Sequence, residues 1–428
     1  MKIKEYDYGN GTLLGVIDTK KFKNSCFHLT FFLPMTEYNA SASKVLAGIM
    51  CRATAKRKTG KEVTRHLCQL YDASLGVENI AISGMLAMRI TLHTIDDVYT
   101  IEKDGTLFSS LIDFVREMLF DPLVTDGELD HEYTRSEKKH ASDAIKARIN
   151  NKDAYALRRA AINAFKGTAY AIEPTGELDE VEALTPKELY DFFVQTVNTR
   201  RVLAVFAGDL TPERKLAMDG LMNELSERRR VNGLCDVSPC PAPVYPSEAE
   251  YVTERMAITQ GKMVLNYSVP ENKGNSAPFI VFDEIFGASP VSRLFTNVRE
   301  RLSLCYYCSS RYSRNTASVV IRSGLDEDSK EKAMAEIERQ ITLLSDPNEI
   351  SDEEMENAKV GILSSYASLQ DGLGTYAGWY TAARASGFEC DIDVLKQRVL
   401  AVTKEQVAEV AKGMRLTTSY FLGANEEK

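Results

Sequence analysis

The chain repeats itself, and this duplication constrains its fold more than any single motif. Both halves close with a helix start and a terminal strand: LTPKELYDFFVQTVNTRRVLAVFAGDL in the first half and VTKEQVAEVAKGMRLTTSYFLGAN in the second. Two equivalent pairs in these segments, Leu184 with Val402 and Leu189 with Val407, are each separated by 218 residues. A constant offset is typical of an internal duplication. We therefore predict two homologous halves within the 428 residues.

Each half has the pattern of a mixed α and β layer. A strand that ends near a proline occurs at 26–34 and again at 262–270, and helices and further strands follow it. Strand-like segments also adjoin one another, as at 75–84 and 85–94, which favours an antiparallel sheet over a doubly wound parallel one. The predicted class is α+β. Each half is expected to be a mostly antiparallel sheet with helices packed on it, and a linker is expected to join the halves into a clam-like pair.

A proline-rich segment divides the two halves. Residues 231–248 hold four of the thirteen prolines and lack helical periodicity, as expected of an extended linker. The predicted organisation is therefore an N-terminal domain at 1–230, the linker at 231–248 and a C-terminal domain at 249–428.

Charge and hydropathy exclude several classes of protein. The chain has 52 basic and 61 acidic residues, a net charge of −9 and no pronounced basic tail, so a nucleic-acid groove is not expected. No segment approaches the ~20 apolar residues of a membrane-spanning helix, and the first thirty residues contain no apolar run of signal-peptide length. The eight scattered cysteines fit reduced thiols. We expect a cytoplasmic chain with no membrane or nucleic-acid partner.

The helix predicted at 42–58 carries an apolar stripe and, beside it, a face with almost no chemistry. The stripe consists of Val45, Leu46, Ile49 and Met50. On the other side, Lys44 and Gly48 lie one turn apart with Ala47 beside them. The basic turn that follows is expected to end this helix near Gly60. Taken alone, such a helix is an ordinary packing helix.

The order of strand, helix, basic turn and the segment KEVTRHLCQLYDASLGVE resembles the insulinase, pitrilysin and mitochondrial processing peptidase family of zinc endopeptidases. The resemblance is closest to its non-catalytic YmfF-like bacterial members, on the segments KKFK and LYDASLG. In catalytic members this helix carries H-x-x-E-H, in which two histidines bind zinc and the glutamate is the general base. The resemblance places those three positions at Lys44, Ala47 and Gly48.

The resemblance also implies that the third zinc ligand is missing. In catalytic members this ligand is a glutamate seven residues after another acidic residue, and the best match is Ala144 after Glu137. A protonated lysine has no lone pair, and alanine and glycine have no ligand atom, so no zinc is expected in this chain. We further expect the ammonium group of Lys44 to face Glu137.

The second half keeps the most specific part of the pattern. The segment 284–313 is similar to the family motif G-x-x-S-R-L-F-x-x-V-R-E-x-x-x-L-x-Y. The resemblance implies that Arg299 and Tyr306 reach toward peptide substrate. The alternative is that Arg299 caps its own helix and Tyr306 belongs to the core.

Other metal or nucleophile sites have little support in the residues. Among the five histidines no pair has i, i+4 spacing, and Glu137 with His140 is typical of a solvated helix pair. Cys305 and Cys308 lack the second cysteine pair of a structural zinc site, and in a strand their side chains point to opposite faces. No Ser/His/Asp or Cys/His arrangement is recognisable.

Three functions remain as hypotheses. The first is a non-catalytic pseudopeptidase subunit that binds a peptide or unfolded protein segment and pairs with a zinc-bearing H-x-x-E-H homologue in a heterodimeric metallopeptidase. The second is a purely structural scaffold subunit without peptide handling. The third is a peptidase with a relocated metal or another nucleophile. On its own the chain is not expected to be an enzyme.

Overall fold

The protein forms two compact units, seen in a computed structural model that describes residues 3–102, 105–270 and 274–425. Unit 1 contains Met1–Ala147, Ile172–Cys240 and Leu369–Gly387. Unit 2 contains Arg148–Ala171, Pro241–Ser368 and Phe388–Lys428. The predicted linker at 231–248 contains the step from unit 1 to unit 2 at Cys240 and Pro241. The predicted domains follow chain order, whereas each unit also includes one segment from the other half.

Strands fall into a sheet for each unit, with a small extra pair in unit 1. Unit 1 contains β1 Ile3–Asp7, β2 Thr12–Asp18, β3 Asn24–Pro34, β4 Ser74–Ile82, β5 Met85–Ile95, β6 Val124–Thr125, β7 Glu128–Leu129 and β8 Val202–Gly208. Unit 2 contains β9 Glu250–Met256, β10 Gly261–Ser268, β11 Tyr307–Ser313, β12 Ser318–Leu325 and β13 Arg415–Ala424. The large sheets have the orders β1-β2-β8-β3-β5-β4 and β11-β12-β10-β13-β9. Their pairings are antiparallel except for β2 with β8 and β13 with β9.

Helices pack on both sheets. In chain order they are α1 Glu37–Met50, α2 Gly60–Gln69, α3 Leu107–Phe120, α4 His131–Ala147, α5 Lys152–Ala164, α6 Leu178–Ala183, α7 Pro186–Thr199, α8 Pro212–Asn232, α9 Ala277–Asp283, α10 Lys330–Leu344, α11 Asp352–Leu369, α12 Leu373–Ala385, α13 Ile392–Leu400 and α14 Lys404–Lys412. Two π-helical segments lie at Glu284–Ala288 and Leu294–Arg301. Short 3₁₀ turns lie at Asp97–Tyr99, Arg148–Asn150, Ala169–Ala171, Glu327–Ser329 and Pro347–Glu349. The predicted α+β class, with mostly antiparallel sheets covered by helices, is confirmed.

The first helix differs from its predicted bounds. Its start is capped by the Thr36 hydroxyl, which accepts a hydrogen bond from the Asn39 N–H at 3.0 Å, and α1 ends at Met50. Gly60 does not end this helix but begins α2. The reason is a capping box in which the side chains of Thr59 and Glu62 bond each other's backbone N–H groups.

The two long helical segments of the sequence are each divided into two helices that lie in different units. In the first half, Asn151 caps α5 through a hydrogen bond from Ala154 N–H at 3.0 Å, so α4 and α5 are separate. In the second half, Gly372 separates α11 from α12. Helix α5 packs on β10 and β13 of unit 2, and α12 packs on β3 and β8 of unit 1. This exchange is not visible in the apolar periodicity, because the pattern shows only that a helix has a buried face.

The sheet of unit 2 has two unequal faces. One face carries the main core of the unit, with Val319 and Ile321 among its members. The other face is covered over β10 and β13 by α5, where Ala156 and Ala160 pack with Val264, Tyr420 and Leu422. Among the described residues, no helix is long and apolar enough to cross a membrane.

A buried ion cluster joins α8 to the end of β5 in unit 1. The Arg214 guanidinium lies 2.8 Å from an Asp96 carboxylate oxygen and 2.7 Å from one of Asp97. Asp97 also accepts a hydrogen bond from the Leu107 N–H at 2.8 Å at the start of α3. The Arg214 side chain is only 2% exposed, so its buried positive charge must be compensated by the carboxylates of Asp96 and Asp97.

We predict that Arg214→Ala lowers the free energy of unfolding by about 3–5 kcal/mol, because it leaves two buried carboxylates without their cation. The matched control is Arg230→Ala, which removes an exposed pair with Glu227 and should leave the thermal transition of unit 1 where it is. Thermal and urea unfolding followed by circular dichroism measure both. Equal shifts for the two variants would contradict the prediction.

Candidate functional site

The positions that bind metal in catalytic relatives of this pattern lie on α1, between β4 and α4. Ala47 is buried, with 6% of its surface exposed. Lys44 is half-buried, and its ammonium group makes no hydrogen bond or ion pair with any residue in the described ranges. The sequence pattern correctly places Lys44, Ala47 and Gly48 on one helix, and none of them carries a ligand atom suited to zinc.

The Glu137 carboxylate occupies the space where a side chain at position 48 would lie. A Cβ built on Gly48 would come within 2.3 Å of Glu137 Oε2 and 2.8 Å of its Cδ, both far below contact distance. The other oxygen, Oε1, accepts a hydrogen bond from Arg52 Nε at 2.8 Å and lies 3.3 Å from His140 Nδ1. The Glu137 side chain is mostly buried, whereas His140 is largely exposed. Glu137 is therefore held against Gly48 from α4.

The predicted pairing of Lys44 with Glu137 is wrong, since Arg52 takes the carboxylate. Arg52 lies one turn beyond Gly48, just past the end of α1, from where its guanidinium reaches α4. The charge-assisted hydrogen bond from Arg52 already compensates the negative charge of Glu137, so Lys44 is not required as a partner. The sequence did contain the signal, because Arg52 belongs to the basic turn after the helix.

The position of the third ligand is also without a donor. Ala144 is exposed on α4, two turns beyond Glu137. Over the residues that the structure describes, no group of three or more histidine, cysteine or acidic side chains is arranged to hold a metal ion. A histidine at position 48 would collide with Glu137 as it is placed, so the residues present do not fit the zinc ion that catalytic members of the resembled family bind.

Arg299 lies exposed near the end of the π-helical segment Leu294–Arg301. The buried side chains of Leu294 and Val298 anchor this segment to the core of unit 2. The guanidinium of Arg299 lies 4.6 Å from the ring centroid of Phe295, and it makes no hydrogen bond or ion pair within the described part of the chain. Its donors are therefore available to a ligand.

Tyr306 is also exposed, with 57% of its surface accessible, at the entrance to β11. Its backbone N–H donates to the Gly324 carbonyl at 2.8 Å, which fixes the main chain. Its hydroxyl lies 3.4 Å from each carboxylate oxygen of Asp326, at the outer limit of a hydrogen bond. The alternative in which Tyr306 belongs to the core is wrong.

The thiols of Cys305 and Cys308 lie near Tyr306 in the chain, and they do not point to opposite faces as predicted. Cys305 precedes β11 instead of lying in it. Its side chain is therefore free of the strand alternation and forms a hydrogen bond with the thiol of Cys308. The hydrogen bond from Cys308 and the nearby charge of Arg299 lower the pKa of Cys305 to about 7, whereas the pKa of the buried Cys308 is raised by its pairing with Cys305. The expectation that the two side chains point to opposite faces assumed that β11 begins two residues earlier.

Strand β4 forms one edge of the unit 1 sheet and pairs only with β5 within that sheet. It also packs against α1, so the emptied helix lies next to a sheet edge. An edge strand can accept an extended peptide as a further strand.

Comparisons with known proteins agree with this geometry. The family described as "Peptidase M16 inactive domain" matches residues 183–361. The chain is 22% identical over 419 residues to "Probable inactive metalloprotease YmfF" of Bacillus subtilis (strain 168), which covers 97% of this chain and 96% of that protein.

Two solved structures share the fold over almost the whole chain. One is a conserved protein from Enterococcus faecalis V583, with a TM-score of 0.88, 20% identity and coverage of 100% of this chain and 99% of that one. The other is described as a peptidase M16 inactive domain from Pseudomonas fluorescens, with a TM-score of 0.79, 14% identity and full coverage of both chains. Together with the missing ligands on α1 and α4, the family model and the Bacillus subtilis relative confirm the resemblance to non-catalytic members of the peptidase M16 family.

Proposed function

We propose that this chain is the substrate-binding, non-catalytic subunit of a heterodimeric metallopeptidase. It binds a peptide or unfolded protein segment and pairs with a homologous chain that carries H-x-x-E-H and the zinc ion. The observation that carries the proposal is a contrast between two sites. The space beside Gly48 on α1 is filled from within the chain by Glu137, whereas Arg299 and Tyr306 keep exposed polar groups.

The emptied metal positions argue against peptide hydrolysis by this chain alone. Metal-assisted hydrolysis needs a metal with an open coordination position and a base that activates the bound water. Positions 44, 47 and 48 supply neither ligand nor base, and the Glu137 carboxylate beside Gly48 is already bonded to Arg52. We therefore expect the zinc in the partner chain and no zinc in this one.

The exposed pair argues for a role with substrate. A guanidinium and a phenol can both donate hydrogen bonds to a peptide carbonyl, or to the oxyanion that develops during hydrolysis. Neither Arg299 nor Tyr306 contributes its side chain to the core. Because we expect no metal in this chain for these two hydrogen-bond donors to act beside, we infer that they act beside a metal bound by another chain.

The edge of β4 offers a means of holding an extended peptide. Backbone hydrogen bonds along a sheet edge give affinity without demanding a particular sequence. The net charge of −9 adds no attraction for nucleic acid or for an anionic membrane, so neither is proposed as a partner.

We predict that the chain copurifies with the H-x-x-E-H chain encoded nearest to it, and that peptidase activity requires both. In that pair, Arg299→Ala and Tyr306→Phe should each lower kcat/KM at least about tenfold while assembly is unchanged, because a transition-state or substrate donor is lost. Arg301→Ala, at the exposed end of the same segment, is the matched control and should leave kcat/KM unchanged.

Two outcomes count against the proposal. A chain that forms only homodimers and never binds an H-x-x-E-H chain lacks the proposed partner. If the pair assembles but Arg299→Ala and Tyr306→Phe keep full activity, the chain is a structural scaffold. Stoichiometric zinc in the purified chain alone, measured by atomic emission, would favour a relocated metal site.

We also predict that the effect of Gly48→Ala depends on Glu137. A helix gains about 1 kcal/mol when alanine replaces glycine, but here the new methyl group must displace the Glu137 carboxylate. The variant should therefore be neutral or destabilised in the natural chain and stabilised by about 1 kcal/mol in a Glu137→Ala background.

Gly220→Ala on α8 is the control for this cycle. The added Cβ meets only Arg116 at an ordinary 3.5 Å, so the same gain is expected in both backgrounds. Urea unfolding measures all six proteins. If Gly48→Ala stabilises both backgrounds equally, Glu137 does not fill the position.

A further inference from the structure

A cavity of about 500 Å³ lies entirely within unit 2, at the β11 edge of the sheet, where it is lined by residues of the face opposite the main core and also by Asp283, Ala288 and Ser310. Helix α5 packs over β10 and β13 of this face and also contacts Tyr307 and Val320, and beyond it Arg311 of β11 and Arg322 of β12 remain exposed. Leu157 of α5 forms one wall. The volume is within the ~300–1,000 Å³ that small-ligand sites occupy.

The strand register brings two arginines to the open face. Ser309 of β11 lies opposite Arg322 of β12, and Arg311 lies opposite Val320. Directly paired residues point to the same side of an antiparallel sheet, and so do residues two apart on one strand. Arg311 and Arg322 are therefore diagonal neighbours, with Val320 between Arg322 and the hairpin turn.

Neither arginine has a carboxylate partner. Arg322 donates from Nε to the Ser309 hydroxyl at 3.1 Å, and Arg311 makes no side-chain hydrogen bond with any described residue. Within the described ranges, no acidic side chain lies at ion-pair distance from either guanidinium. The terminal nitrogens of both arginines thus remain available.

The nearest carboxylates are already bonded elsewhere. Asp283 at the cavity margin accepts a hydrogen bond from the Ser310 hydroxyl and another from the Tyr312 N–H at 2.8 Å. Asp153 on α5 pairs with Lys262 at 3.2 Å and accepts a hydrogen bond from the Tyr307 hydroxyl. Both carboxylates are thus hydrogen-bonded elsewhere, although each also interacts electrostatically with an arginine, Asp283 with Arg311 and Asp153 with Arg322.

Two like charges on diagonal positions of adjacent strands repel each other, and a bound anion offsets that repulsion. Guanidinium groups match a planar carboxylate with paired hydrogen bonds. The walls next to them, Leu157 and Val320, are aliphatic. The ligand that fits is thus a carboxylate with an aliphatic group beside it.

We propose that this cavity binds the C-terminal carboxylate of a peptide whose last side chain is aliphatic. The carboxylate lies between Arg311 and Arg322, and the last side chain packs against Leu157 and Val320. The inference rests on the proposed peptide-binding role, but it requires neither the zinc-bearing partner nor Arg299 and Tyr306. It assigns to unit 2 a preference for one end of the peptide.

The test uses the full chain and three fluorescein-labelled decapeptides, followed by anisotropy. They end in leucine acid, leucine amide and glycine acid. The leucine acid should bind at least about tenfold more tightly than its amide, and more tightly than the glycine acid. Added salt should weaken the binding of the acid more than that of the amide, because only the acid forms the charged contact.

Variants locate the effect. Arg322→Gln and Arg311→Gln should each remove the preference for acid over amide, and Arg322→Lys should keep part of it because the charge remains. The control is Arg415→Gln, an exposed arginine at the start of β13 outside the cavity, which should bind like the natural chain. Circular dichroism and thermal unfolding confirm that each variant is folded.

Equal affinity for the acid and the amide overturns the inference, as does a preference that survives both glutamine variants. Competition by inorganic phosphate or acetate as strong as that of the unlabelled leucine acid also overturns it, since the cavity would then be a simple anion site. Failure here is distinct from failure of the proposed function. If the amide peptide binds and its binding depends on Arg299, the proposed function stands and the carboxylate site fails. If the chain prefers the acid peptide but Arg299→Ala keeps full peptidase activity in the pair, the carboxylate site stands and the proposed function fails.

Discussion

The close approach of the Glu137 carboxylate to Gly48 determines what the first half of this chain can do. The absence of a side chain at position 48 lets α4 bring a mostly buried carboxylate against α1, and Arg52 neutralises it there. A metal-binding histidine and this carboxylate cannot occupy the same space. The loss of ligands is thus accompanied by a contact that fills the space beside Gly48.

The second half presents the opposite arrangement. Its π-helical segment at Leu294–Arg301 is anchored by buried apolar residues, but Arg299 and Tyr306 extend from this anchored backbone to the surface. Exposed polar side chains on a well-packed support can bind without the cost of ordering a loop. The two halves thus share a fold class, but only the second presents this exposed polar pair.

Helix α5 comes from the first half of the sequence but packs in unit 2, and α12 comes from the second half but packs in unit 1. The position of α5 affects which residues of the unit 2 sheet are exposed. Helix α5 packs mainly over β10 and β13 of unit 2, and beside it Arg311 and Arg322 remain exposed with Leu157 as a wall of the cavity. The hairpin pattern around residues 313–318 could have indicated that these arginines share a face. It could not indicate that a helix from the other half of the sequence completes the cavity, since helical periodicity identifies a buried face but not the sheet that buries it.

The sequence by itself determined the α+β class, which follows from the spacing of apolar residues in each element, and its constant offset predicted the duplication. The emptied metal positions at Lys44, Ala47 and Gly48 and the retained motif around Arg299 came from the family resemblance, and residue identity adds that these three positions offer no suitable ligand atom. Only the tertiary structure decided that Arg52 and not Lys44 pairs with Glu137, and that Cys305 meets Cys308. Such pairings depend on where helices end and how they pack, to within an ångström or two, and several partners with suitable charge or chemistry were present in the sequence.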